Sequence, residues 1–355
     1  MSVGRFLQQA ALPKLNAHEV IAAEGGARAL FYRPRDPTDL LRLKLTLDGG
    51  SYETKLVETP AGVRSVEESL VSSDGRSAWT TLNQAYEFTD GSKIMRDQPF
   101  SGLQVVCANQ RSERSIVLPI LRSRLIQLSP QAIRADAPAP DNNTVQMTTD
   151  GRGLAQVLLE WSGGNRARVT ALNEFVHALL PEISEVEVES VQAEPGAGGS
   201  LGAPPPPGSK RLRVLQADGE RFDARRISDG VLSLIGLAMN AIEAGPDTVL
   251  FLEEPEQFVH PTLLHGVVDL FRRVATKQKC QIVLATHSPR LLNEFRDEPE
   301  SVVIFRRTAT GSVTRKLSEL PKLAKLLRDQ DPGSMLEMGL FDKALAQATQ
   351  KRAAT

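Results

Sequence analysis

The chain has 355 residues, 41% of them apolar and 24% charged, and a net charge of −1 at pH 7. That length holds two or three lobes with their own cores, and the composition is that of an ordinary soluble globular protein. The near-zero charge excludes a global basic field steering the chain to nucleic acid or anionic membrane, and no apolar run reaches the ~18 residues of a membrane span.

Residues 1–24 read as mixed helix, without the apolar core and cleavage site of a secretory leader. Residues 40–58 (LLRLKLTLDGGSYETKLVE) alternate apolar and polar around Asp48-Gly49-Gly50, which predicts a hairpin. Short strands continue to about residue 108, with turns at Ser73-Asp74-Gly75 and Thr89-Asp90-Gly91, so this part reads as an antiparallel sheet with one wet face. Residues 115–128 are strongly apolar with basic punctuation, and 135–143 is a loop. GLAQVLLEW and RVTALNEFVHALL, within 151–180, are two helical patterns, and 183–191 alternates as a strand. The Pro/Gly-rich stretch 194–209 buries no core and reads as an excursion between two hairpin strands, the second resuming at Arg211.

From residue 226 helix and strand alternate. Ser228 or Asp229 caps a helix with Val231, Leu232, Ile235, Met239 and Ile242 on its apolar face, and Gly245-Pro246 ends it. TVLFL (248–252) is a short apolar run that reads as a buried parallel strand, and QIVLAT (281–286) reads as a second buried strand. Pro261 opens a helix to about Thr276, and PRLLNEF forms a short one. SVVIFRR and SVTRKL make a hairpin around Thr310-Gly311, and residues 320–355 read as two helices. Cys107 and Cys280 have no metal-ligand spacing and fit a reducing compartment. A cytoplasmic protein is the simplest reading.

Three segments within 226–289 carry chemistry. TVLFLEEPE is an apolar strand ending in Glu253 and Glu254, and such strand ends face the crevice where α/β sheets bind ligands. Glu253 there would hold Mg²⁺ through water, and Glu254 would orient and polarise an attacking water. ATHSP repeats the layout, placing His287 where it can donate to a phosphate oxygen. RISDGVL puts Ser228, Asp229 and Gly230 at a helix start, where free N–H groups and the helix dipole favour an anion. Taken singly, each has a plain alternative: two solvated acids, a surface histidine, an ordinary helix cap. Their order and spacing together favour a shared role. No G-x-x-x-x-G-K-[S/T] phosphate loop occurs in the 355 residues; Gly91-Ser92-Lys93 and Gly208-Ser209-Lys210 carry only its last letters.

These residues resemble the ABC-type ATPase heads, in particular the RecF/SMC/OLD-like branch. ISDG resembles the signature motif, VLFLEEPE the Walker B strand with its catalytic glutamate, EPEQFVHP the D-loop and THSP the histidine switch. SPQAIR (129–134) and TTDGRGLAQVL (148–158) also resemble segments of this branch. The resemblance covers about residues 115–310. It implies a P-loop NTPase fold of ABC type: an α/β sheet, mixed or parallel, flanked by helices, with an antiparallel β-rich subdomain. It further implies ATP and Mg²⁺ as cofactors, Glu254 and His287 as catalytic groups, Glu253 as the metal residue, and Ser228, Asp229 and Gly230 as nucleotide contacts. Glu253 stands where the branch commonly has aspartate. The phosphate loop is expected near the N-terminus, before a segment like Glu24-Gly25-Gly26, and the chain reads as beginning just beyond it. Gln104 and Gln110 are candidates for the Q-loop.

The resemblance implies two heads pairing head-to-tail, each signature covering the phosphate held by the other. The partner would be self or a related P-loop-bearing head, with DNA a further partner by analogy only. The expected organisation is 1–114 (N-terminal lobe remnant with the β subdomain), 115–225 (middle segment with the flexible insert), 226–319 (signature, Walker B and histidine switch) and 320–355 (helical tail). Two readings follow: an ATPase head, and a non-hydrolysing interaction module that lends its signature to a partner. A nuclease of the overcoming-lysogenisation-defect type would need a Toprim domain, for which the residues after 310 are too few.

Overall fold

The computed structural model describes residues 40–47, 49–59, 62–75, 77–82, 85–88, 91–95, 122–139, 145, 147–191, 208–308 and 311–353. The expected N-terminal helix, Glu24-Gly25-Gly26, Gln104, Gln110, Cys107 and most of the Pro/Gly-rich insert lie outside them. The chain divides into two compact units. One holds the described residues up to Leu125 with Gly245–Phe251 and Lys279–Gln281, and the other holds the rest.

In the first unit, six strands run as an antiparallel meander in chain order: β1 (Leu40–Leu47), β2 (Gly50–Thr59), β3 (Gly62–Ser72), β4 (Ser77–Leu82), β5 (Ala85–Phe88) and β6 (Lys93–Met95). The expected first hairpin is present, with Leu47 opposite Gly50. Gly50 is required there, because a Cβ would lie 2.1 Å from the Val71 carbonyl oxygen. Tyr52 pairs with Leu70 across β2–β3, and both are buried with Tyr86 and Phe88. Lys55 and Glu67, opposite each other in the register, form a 2.7 Å ion pair. The buried face also carries Thr54 and Glu68, and the Tyr86 hydroxyl donates to the Glu68 carboxylate at 3.4 Å.

The second unit is built around one helix. α1 (Pro130–Arg134), α2 (Leu154–Gly164) and α3 (Arg166–Leu179) precede a three-stranded antiparallel sheet of β8 (Ile183–Ser190), β9 (Lys210–Gln216) and β10 (Arg221–Asp223). Then comes α4 (Asp229–Glu243), on which every residue from Leu232 to Ile242 is buried. A helix apolar all round belongs at the centre of a fold, and α1, α3 and the later helix α5 pack on α4. Its first turn is capped as expected: Ser228 is the N-cap and its Oγ accepts from the Val231 N–H. Asp136 is gripped by Arg211 in a two-point ion pair at 2.6 and 2.7 Å, which fastens the exit of α1 to β9. That hydrogen bond, despite partial burial, holds the Arg211 guanidinium above its ordinary pKa.

A further sheet has the order β12 (Gln281–Ala285), β11 (Val249–Glu253), β7 (Arg124–Ile126). β11 and β12 are parallel: the Gln281 N–H donates to the Thr248 carbonyl at one end and the Glu254 N–H to the Ala285 carbonyl at the other. A 3₁₀ turn (Pro261–Leu263) and α5 (Leu264–Gln278) make the crossover. This is an α/β architecture with a parallel strand pair and flanking helices, as expected. β12 is less buried than its apolar sequence suggests. Val283 is 37% exposed, because β12 ends the strand order among the described residues.

α6 (Pro289–Asn293) leads to the hairpin β13 (Val303–Thr308) and β14 (Gly311–Lys316). The tail differs from expectation, with three helices instead of two: α7 (Pro321–Leu326), α8 (Pro332–Glu337) and α9 (Leu340–Ala353). Pro332 starts one and Gly339, at φ +63, ends it. The tail also has its own core: Leu317, Leu323, Met335, Phe341 and Leu345 pack with Val302 and Ile304 of the hairpin segment.

Candidate nucleotide site

β11 and β12 end side by side. Leu250 and Leu252 anchor β11 at 0% and 2% exposure, and the strand emerges at Glu253, half-buried, and Glu254, exposed. The Glu254–Ala285 backbone bond, 2.8 Å long, ties the acid pair to the end of the neighbouring strand, two residues before the exposed His287. Thr286 reinforces the junction. Its Oγ1 donates to Glu256 and accepts from the Ser288 N–H at 2.9 Å. The chain positions of Glu253, Glu254 and His287 therefore fall at one end of one sheet.

The turn after β11 is strained. Glu254 has φ +46 and Phe258 φ +69, both in the left-handed region that non-glycine residues rarely occupy, at a cost of about 1–3 kcal/mol each. The break at Glu254 turns the chain directly after Glu253, so adjacent carboxylates are freed from the alternation of a strand. Hydrogen bonds from Gln257 N–H to Glu254 carbonyl (2.8 Å) and from Val259 N–H to Glu256 carbonyl (3.0 Å) hold the turn. Its far end lies against the start of α4, where a Cβ on Gly230 would stand 2.7 Å from the Phe258 carbonyl oxygen. The Ser228-Asp229-Gly230 segment is thus packed on the EPEQFVHP turn, a contact with no trace in sequence spacing.

Ser233, one turn into α4, was not among the candidates. It is 1% exposed, its Oγ has no hydrogen-bond partner, and it lines a small cleft with Leu237, Leu252, Glu253, Glu254 and Gln257. A serine in an apolar helix gives no signal by itself. Among the described residues no three His, Cys, Asp or Glu side chains group as a metal cage. The donor set at the strand end is instead two carboxylates. That suits Mg²⁺, which takes one or two protein carboxylates and completes its shell with water and phosphate oxygens. The described helices include none long and apolar enough to cross a membrane.

The chain resembles an ABC-type ATPase head of the RecF/SMC family. Residues 158–293 match the family described as "AAA domain, putative AbiEii toxin, Type IV TA system". The matched segment runs from within α2 through α6 and contains Ser228, Asp229, Gly230, Glu253, Glu254 and His287. Solved structures similar to the chain include the Smc head domain with an extended coiled coil from Pyrococcus furiosus, bound to the C-terminal domain of ScpA. It is 12% identical over 92% of this chain and 90% of that one, with a TM-score of 0.42. The SMC head domain from Thermotoga maritima is also 12% identical, over 76% and 74%, with a TM-score of 0.32. No curated protein matches the sequence.

Proposed function

We propose that the chain works as an ATP-hydrolysing head, pairing head-to-tail with a second copy or a related P-loop-bearing head. The observation that carries this reading is the junction of β11 and β12, where a backbone hydrogen bond unites the ends that bear Glu253-Glu254 and His287. In this reading Glu254 accepts a hydrogen bond from the attacking water and holds it in line. Glu253 is the residue that would hold Mg²⁺, which when bound neutralises charge on the phosphates. His287 donates to a terminal phosphate oxygen. Ser228 and the backbone of Gly230 meet the phosphate bound by the opposite head. DNA as a substrate, and a defence or DNA-related process, are carried by analogy to the branch.

The second reading, an interaction module that lends its signature without hydrolysing ATP itself, is favoured by one specific fact: the 355 residues contain no phosphate loop. Calorimetric titration with Mg-ATP tests the head-to-tail pairing that both readings share. The isolated chain should show no micromolar binding, and mixing with a P-loop-bearing ABC-type head should raise that partner's affinity for ATP. No change in the partner's affinity would remove the head-to-tail reading.

A further inference from the structure

We infer that Arg134, at the end of the SPQAIR segment, is a positioning residue for the Ser228-Asp229-Gly230 segment. Its guanidinium spans the approach to α4 with three bonds. Nε donates to the Ala224 carbonyl at 3.1 Å, Nη2 to the Ile227 carbonyl at 2.8 Å, and Nη2 pairs with the Asp229 carboxylate at 2.5 Å. The planar fork of arginine suits this task, since it reaches several acceptors in a fixed geometry that lysine cannot match. The bonds reach across ninety or more residues of sequence and hold a stretch that is otherwise a loop between β10 and α4.

The inference rests on the proposed function, in which this segment faces phosphate, and it resolves a conflict within that proposal. A carboxylate in the first turn suits the dipole of its own helix. The same carboxylate repels an incoming anion. Asp229 is 40% exposed and Arg134 25% exposed, so the pair lies where a ligand would approach. With Arg134 in place Asp229 presents a neutral pair; without it, a free negative charge stands beside Ser228. Arg134 thus acts on the ligand through Asp229 and the two carbonyls.

Two measurements on the full chain test this. The first is amide hydrogen exchange over residues 224–232 without nucleotide, in wild type, Arg134→Ala and Arg134→Gln. Loss of the three bonds should speed exchange of the Arg226, Val231 and Leu232 amides by about tenfold or more. Unchanged protection would overturn the inference, and Arg134→Gln carries the test should the alanine variant not fold. The second is titration with inorganic triphosphate, followed at the Ser228–Val231 amides, in a cycle of Arg134→Ala, Asp229→Asn and the double variant. Arg134→Ala should weaken binding by about fivefold or more at low salt, and the loss should vanish in the Asp229→Asn background. An equal loss in both backgrounds would make Arg134 a direct anion ligand and refute the positioning role. Absence of triphosphate binding in wild type even at millimolar concentration would count against the phosphate-facing role proposed for Ser228–Gly230 instead, and the exchange data would then decide the role of Arg134 alone.

Discussion

Gly230→Ala is the substitution in which packing and site are most tightly joined. In an open helix the change should help, since alanine is favoured over glycine by about 1 kcal/mol. At Gly230 the new Cβ would lie 2.7 Å from the Phe258 carbonyl oxygen, against a comfortable carbon–oxygen distance of about 3.3 Å. The neighbour is backbone, fixed by the Val259–Glu256 hydrogen bond, so the turn or the helix start must move by about half an ångström. Such overpacking costs about 1–3 kcal/mol, which outweighs the helix gain and leaves a net loss of up to about 2 kcal/mol. Gly163, in α2, is the control, because a Cβ there meets nothing within 4 Å. Urea denaturation of the two variants should move the midpoints in opposite directions: Gly163→Ala stabilises by about 0.5–1 kcal/mol and Gly230→Ala destabilises. Equal stabilisation by both would show that the turn does not rest on Gly230.

Two further outcomes follow from burial and charge. Leu250→Ala, at a 0% exposed position of β11, should cost about 2–5 kcal/mol and lower the melting temperature, whereas loss of site geometry without loss of stability would contradict the anchoring role of that strand. His265 of α5 bonds Glu294 at 2.8 Å and lies 3.3 Å from Asp269, and the Glu294 bond, then the Asp269 charge, hold its pKa above the ordinary 6.5 against the opposing charge of Arg272. Its contribution to stability is complete below pH 6.5 and is lost as pH rises through the higher folded value. The melting temperature should therefore show a small decline with rising pH over that window, absent in His265→Gln; an identical decline in the variant would assign it to other groups.

Much of the architecture could be read from residue pattern. Asp48-Gly49-Gly50 marks the first hairpin, and Ser228 with Gly245-Pro246 bounds α4, because caps and turns are local chemistry written in adjacent residues. The parallel strands also showed as short apolar runs ending in polar residues. What could not be read was long-range. QIVLAT looks like any buried strand, and its position at the end of a strand order is a property of the sheet. The third tail helix depends on Pro332 and Gly339 acting within a polar stretch. At the site, the candidate residues follow from motif resemblance. The left-handed backbone of Glu254, the seat of Phe258 against Gly230, the bare hydroxyl of Ser233 and the reach of Arg134 arise from tertiary contacts and leave no periodic mark.

We propose that Glu254, at the β11–β12 junction, positions the water that attacks ATP. Its most direct test is steady-state Mg-ATP turnover by the chain preceded by a strand–G-x-x-x-x-G-K-[S/T]–helix segment, as wild type and as Glu254→Gln. Turnover is expected in the first, and in the second a loss of about 10²–10⁴-fold with ATP still bound, as removal of a water-positioning group requires. Equal turnover in the two would remove Glu254 from the mechanism.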